Sequence, residues 1–288
     1  MTECTERSEG REGMAKEGTA MTRVRLDVSY DGTDFSGWAV QPDRRTVAGE
    51  LTGALEQLFG PGGAVGLTVA GRTDAGVHAT GQVCHVDVPA GRWAQLCDTL
   101  VRRLAGLLPP DVRVTAATAV PDTFNARFSA LSRRYAYRVS DTPYGAEPLR
   151  RRDTLAWPRP LAPAAMQAAA AGLLGEHDFA AYCKRKEDAT TIRAVSRLDW
   201  ARSGDGVLVA VVEADAFCQS MVRSLVGALL AVGDGRQPVG WPASLLSRGE
   251  RASEVNVAPA HGLTLVAVAY PPPEAYAARA ELTRHRRG

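Results

Sequence analysis

Two hydrophobic periods alternate along the chain in a repeated order, and that order limits its fold more than any other sequence feature. Arg23-Val24-Arg25-Leu26-Asp27-Val28-Ser29-Tyr30 puts an apolar side chain at every second position, the pattern of a strand with one buried face. Thr46 follows as a helix N-cap before Val47, Leu51, Ala54, Leu55 and Leu58, and Gly60-Pro61-Gly62-Gly63 ends that helix. Residues 67–70 and 82–88 predict two strands, 93–107 a helix, and 113–115 extended chain. Residues 125–140 read as a strand at their Tyr135-Ala136-Tyr137 end. The second half continues with a helix over 164–174, then strands at 192–202 and 207–214 joined by the turn Ser203-Gly204-Asp205-Gly206. A helix over 217–232 and a strand over 263–270, stopped by Pro271-Pro272-Pro273, complete it. Each half reads strand, helix, strand-strand, helix. This predicts an α+β fold of two similar α/β lobes, 23–130 and 131–273, between a solvated tail at 1–22 and a basic tail at 274–288.

Composition excludes several classes. A hydrophobic fraction of 45% is too high for a disordered chain, and a formal charge of +2 excludes a histone-like polycation. No run of about 18 apolar residues is present, so no membrane partner is expected, and the secretion-signal layout is missing. Cys4, Cys84, Cys97, Cys183 and Cys218 are scattered with no Cys-x-x-Cys pair, which predicts reduced thiols, no metal site and a cytoplasmic setting. All cations but Lys16, Lys184 and Lys186 are arginine, the forked donor suited to phosphate.

Chemistry concentrates in a few places. Gly71-Arg72-Thr73-Asp74-Ala75-Gly76 brackets a cation and a carboxylate with two glycines at a strand end. Asp74 there is either an ionised nucleophile or base, or a turn residue bonding its own backbone. Arg127, Arg133, Arg134 and Arg138 interleave with Phe128, Tyr135 and Tyr137, which makes either a surface for stacking an unpaired base and gripping its phosphates or a solvated strand with its aromatics in the core. On the 217–232 helix, Arg223 lies beside the apolar stripe of Met221, Val222, Leu225, Val226 and Leu229, with Ser220 and Gly227 as small neighbours. Small neighbours admit a second backbone, and a guanidinium buried there wants an anion; otherwise Arg223 is an edge arginine that snorkels to solvent. His177 reads as organising a helix C-terminus, and the Lys184-Arg185-Lys186 run as a solvated loop. Neither a P-loop, a dinucleotide-binding turn nor a serine nucleophile elbow occurs.

Taken in order, these segments resemble the tRNA pseudouridine synthase A (TruA) family over about residues 23–270. The resemblance is carried by Tyr30-Asp31-Gly32 with Gly37-Trp38, by Ala70 to His78, by Gly81-Gln82-Val83, by Phe124 to Tyr137, by Gly175 to Phe179, and by Met221-Val222-Arg223 with Val226-Gly227. It implies that Asp74 is the catalytic nucleophile, that Tyr135 packs on the target base, that Arg223 pairs with Asp74, and that Arg72 helps hold a flipped nucleotide. It further implies mainly antiparallel sheets joined around a central RNA-binding cleft, and a homodimer acting without cofactor on the tRNA anticodon stem-loop at positions 38, 39 and 40. The chain departs from the family pattern at Ala39, Ala48 and Ala105, where polar residues are usual. Two other functions remain open on the residues alone. One is an RNA-binding protein without chemistry, and the other a nucleoside hydrolase built on a lone Asp.

Overall fold

A computed structural model describes residues 20–184 and 190–287. Ten strands run in chain order: β1 Met21–Tyr30, β2 Val65–Val69, β3 His78–Pro89, β4 Val112–Ala119, β5 Ser132–Ser140, β6 Leu155–Ala156, β7 Gly175–Asp178, β8 Ile192–Arg202, β9 Leu208–Ala214 and β10 Leu263–Ala269. Among the described residues they interleave with seven α-helices: α1 Val47–Phe59, α2 Ala90–Leu96, α3 Leu100–Leu107, α4 Pro163–Ala171, α5 Met221–Gly233, α6 Trp241–Ser244 and α7 Tyr276–Arg287. The class is α+β, as expected. None of these helices is long and apolar enough to cross a membrane.

All ten strands belong to one sheet, in the order β4-β1-β3-β10-β5-β9-β8-β7, with β2 on β3 and β6 on β5. Pairing is antiparallel except at β3–β10 and β5–β6. The β3–β10 contact is a seam. It joins first-half strands to second-half strands through only two residue pairs, His78 with Thr264 and Ala79 with Leu265. Gly81 lies just beyond it, where any Cβ would run into the Val266 carbonyl, so the two backbones meet there only because the position is glycine.

Local chemistry accounts for most elements. In β1 the alternating Val24, Leu26, Val28 and Tyr30 are the buried face. The Thr46 side chain accepts the Gly49 N–H and caps α1. Between them the sheet and helices bury a continuous apolar core, with a smaller cluster around Phe124, Tyr276 and Tyr270.

The structure also differs from the sequence reading. The helix expected over 93–107 is two helices, because Thr99 N–H and hydroxyl both turn back to the Leu96 carbonyl and break the run. Where a basic tail was expected, α7 forms and buries Tyr276, Ala280 and Thr283 at helical spacing. Of the expected tail at 1–22, residues 1–19 lie outside the described residues, while Met21 and Thr22 already pair with Pro89 and Val88. Cys183 and Cys218 form a disulfide with Cα atoms 5.7 Å apart, whereas Cys84 and Cys97 are free thiols as expected. Their 35-residue separation hid that pairing, which only the fold creates.

Two stability outcomes follow. Gly81→Val is expected to lower stability by about 1–3 kcal/mol or more, read by urea denaturation, since backbone must move to admit the new side chain. His85 is buried, accepts the Ala126 N–H at Nδ1, and is pushed down to about 4 by burial and then by the Arg23 charge. The unfolded imidazole takes a proton first, so the wild type should lose stability as pH falls from about 6.5 to about 4. His85→Gln should flatten that slope over the same window.

Candidate active site

The loop between β2 and β3 carries Asp74, and side-chain donors fix it from below. Gln82 is fully buried on β3; its Nε2 donates to the Gly71 carbonyl at 2.8 Å and to the Tyr30 hydroxyl at 3.2 Å. The Tyr30 hydroxyl lies 2.8 Å from the Thr73 hydroxyl. Arg133, only 4% exposed on β5, donates from Nη2 to the Ala70 and Arg127 carbonyls, both at 2.7 Å, and from Nη1 to the Asp215 carbonyl at 2.9 Å. The loop thus satisfies the Ala70 and Gly71 carbonyls through two buried side chains, Arg133 and Gln82, while Tyr30 holds the Thr73 hydroxyl.

From above, the loop at 31–38 closes on it. Trp38 N–H donates to the Thr73 carbonyl at 3.1 Å, and Gly76 N–H to the Phe35 carbonyl at 3.3 Å. Gly37 has φ of 96°, and a Cβ there would stand 2.8 Å from the Thr73 oxygen, so only glycine permits this approach.

The second half supplies the facing wall. Every residue of α5 except Arg223 is buried. A Cβ on Gly227 would collide with the Asn256 carbonyl, so the glycine lets the 256–258 segment lie against the helix. That segment holds Arg223 twice: Nε donates to the Ala258 carbonyl at 2.7 Å, and Ala258 N–H donates back to the Arg223 carbonyl at 3.0 Å. The remaining guanidinium edge faces Asp74, with Nη1 3.4 Å from Oδ2. A second backbone thus lies against the small neighbours of Arg223, and a carboxylate stands opposite its free edge. Ser220, in the left-handed region at φ 64°, aims its hydroxyl at the same carboxylate oxygen from 3.5 Å.

Tyr135 is buried on β5 beside Phe217, the rings meeting edge-on with centroids 5.3 Å apart. Burial, with a smaller contribution from the Asp74 charge, pushes its hydroxyl up to about 12, so it stays neutral at ordinary pH. Arg72 is exposed and has no ion pair among the described residues.

Not every expected contact forms. Arg133 points into the protein, Arg134 pairs with Glu213 at 2.7 Å, and Arg138 pairs with Asp205 at 2.8 Å. Of the four arginines interleaved with aromatics, Arg133 is buried, Arg134 and Arg138 are held in ion pairs, and Arg127 is exposed with no ion pair among the described residues. His177 lies in β7 rather than at a helix end, because α4 stops at Ala171, and its Nε2 is 2.8 Å from the carbonyl of Leu174 in the connecting turn. Of the Lys184-Arg185-Lys186 run, Arg185 and Lys186 fall outside the described residues. Gln82 and Phe217 gained no role from the residue pattern, and Ser220 was read there only as a small neighbour of Arg223.

Comparison with known proteins decides the family. A family model described as tRNA pseudouridine synthase matches residues 28–129 and 169–271, which include Asp74 and Arg223. The chain belongs to the tRNA pseudouridine synthase A (TruA) family. It is similar to the tRNA pseudouridine synthase A of Frankia casuarinae, 62% identical over 92% of this chain and 95% of that protein. It is likewise similar to those of Streptomyces griseus, at 58% identity with 91% and 93% covered, and Mycobacterium leprae, at 51% with 91% and 94% covered. This is an isomerase family acting on tRNA, and the TruA relatives span nearly the same length as this chain.

Gln82→Leu should cost about 1–3 kcal/mol in urea denaturation, because it leaves the Gly71 carbonyl and the Tyr30 hydroxyl without this donor.

Proposed function

We propose that this protein converts uridine to pseudouridine in the tRNA anticodon stem-loop, at positions 38, 39 and 40, with Asp74 as the nucleophile and no cofactor. The observation that carries the reading is the Asp74 carboxylate set 3.4 Å from a guanidinium whose other edge is pinned to backbone. A fixed cation opposite the carboxylate orients its oxygens, and a carboxylate so held is a competent nucleophile.

Uridine and pseudouridine share one formula, so the reaction consumes no electrons and no energy donor. An N–C glycosidic bond breaks, the uracil turns, and a C–C bond forms at the same sugar carbon. Asp74 begins the sequence at the sugar C1′, at the base C6, or by taking a ribose proton, and the same pocket must retain the detached base. Tyr135 supports that base: a neutral phenol edge-packed on Phe217 offers a flat apolar face without a competing charge. Arg72 is free to hold the extruded nucleotide, and extrusion costs a few kcal/mol that phosphate contacts offset. The active form is a cytoplasmic homodimer whose two lobes flank the RNA-binding cleft.

Asp74→Asn preserves size and removes charge. It should leave tRNA binding within about tenfold of wild type while abolishing turnover, since the carboxylate acts beyond the ground state. Incubation with unmodified anticodon stem-loop, then carbodiimide mapping, reads the product directly. Pseudouridine formed by the variant at near wild-type rate would overturn the assignment. Free uracil would indicate hydrolysis instead, and salt-sensitive binding without product would indicate an RNA-binding protein.

A further inference from the structure

The aromatic-arginine platform expected along β5 is assembled elsewhere, with a part contributed by a helix beyond the family match. Phe128 is half-buried, and two guanidinium carbons approach its ring: Arg127 Cζ at 5.1 Å from the centroid and Arg284 Cζ at 5.2 Å. Arg284 belongs to α7, whereas the family match ends at residue 271. Docking of α7 is specific. Tyr276 packs on Phe124 with centroids 5.0 Å apart, and Ser129 donates to the Tyr276 carbonyl at 3.2 Å.

This surface adjoins the candidate active site. One nitrogen of Arg133 donates to both the Arg127 and Ala70 carbonyls, so the platform and the Asp74 loop hang from a single donor. Beside it an open groove of about 470 Å³ runs between α7 and the 122–125 turn, lined by Arg23, Thr123, Asn125 and Arg284 and also by Asp122 and Glu281. Arg23 is already engaged with Asp87 at 2.7 Å. Besides its ring contact, Arg284 has among the described residues one ion pair, with Glu281 at 3.4 Å, and both side chains are more than half exposed. Such a pair is weak and exchanges readily for a stronger anion. A guanidinium resting on a ring keeps its N–H edge outward, in position to meet a phosphate.

We propose that Arg284 of α7 and Arg127 form a phosphate-binding shelf on which the substrate tRNA backbone rests as it leaves the Asp74 site. The inference relies on the tRNA substrate proposed above and adds a contact surface to it. The contact is to phosphate rather than base edges, so it serves different tRNA sequences alike.

The test compares Arg284→Ala, Arg127→Ala, the double variant and Arg284→Lys in the full chain, by tRNA binding between about 50 and 200 mM salt. Each alanine should weaken binding about three- to tenfold and lower the slope of log affinity against log salt by about one, the double by about two. Arg284→Lys should restore the slope, because it keeps the charge. In pseudouridine assays the loss should fall mainly on KM rather than kcat. Unchanged affinity and slope in the double variant would overturn the shelf, as would a fall in kcat alone, which marks a merely structural effect. A response confined to Arg127→Ala would overturn the part given to α7. A wild type that binds tRNA but makes no pseudouridine overturns the proposed reaction instead, with the salt slopes still deciding the shelf.

Discussion

The Arg223–Asp74 contact joins residues 149 positions apart, and it is too weak to bring them together by itself. Its side chains are 20% and 33% exposed and its nitrogen–oxygen distance is 3.4 Å, a geometry that contributes at most about 1 kcal/mol. The surrounding backbone must therefore hold the two groups in register, and the stability of the pair follows from that scaffold rather than creating it. Glycines set the spacing on both sides. Gly37 admits the Thr73 carbonyl of the Asp74 loop, and Gly227 admits the Asn256 carbonyl beside Arg223. A methyl group at either place would separate the charges by more than the contact can recover.

A common device runs through the site: each of its long polar side chains donates to at least one main-chain carbonyl. Gln82 takes Gly71, Arg133 takes Ala70, Arg127 and Asp215, and Arg223 takes Ala258. Carbonyl partners do not titrate, so these supports keep their geometry across pH. Arg133 shows the cost of the device, because burial pulls its guanidinium below the usual range while the peptide oxygens solvate it. Arg133 also reaches the segment after β9, so one buried cation ties the Asp74 loop to the connection that leads into α5.

Much of this was legible in the chain. Period-two alternation marked β1, Thr46 marked the start of α1, and the small residues around Arg223 marked an approaching backbone. The direction of Arg133 was legible only in part. On β5 it shares a face with the buried Tyr135 and Tyr137, so alternation alone turns it inward, yet its charge reads as a surface contact. The helix break at Thr99 is local, made by bonds to Leu96 that compete with its neighbours' propensity, whereas two features depended on tertiary context. α7 follows three prolines and carries enough cations to mask the Tyr276, Ala280, Thr283 stripe, which has value only once Phe124 is there to receive it. Cys183 and Cys218 meet only after the turn following β7 packs against the approach to α5.

The position of β10 has a consequence for biosynthesis. The strand that bridges β3 and β5 is the last to leave the ribosome, ending at Ala269, so no shorter nascent chain can close the sheet or bring its two halves together. Until then each half presents an open strand edge, β3 on one side and β5 on the other, and both invite pairing with foreign chains. Completing the seam removes both edges in one event. The facing walls of the candidate site consequently take their mutual placement only when translation is nearly finished, and a truncated product lacks the strand that unites them.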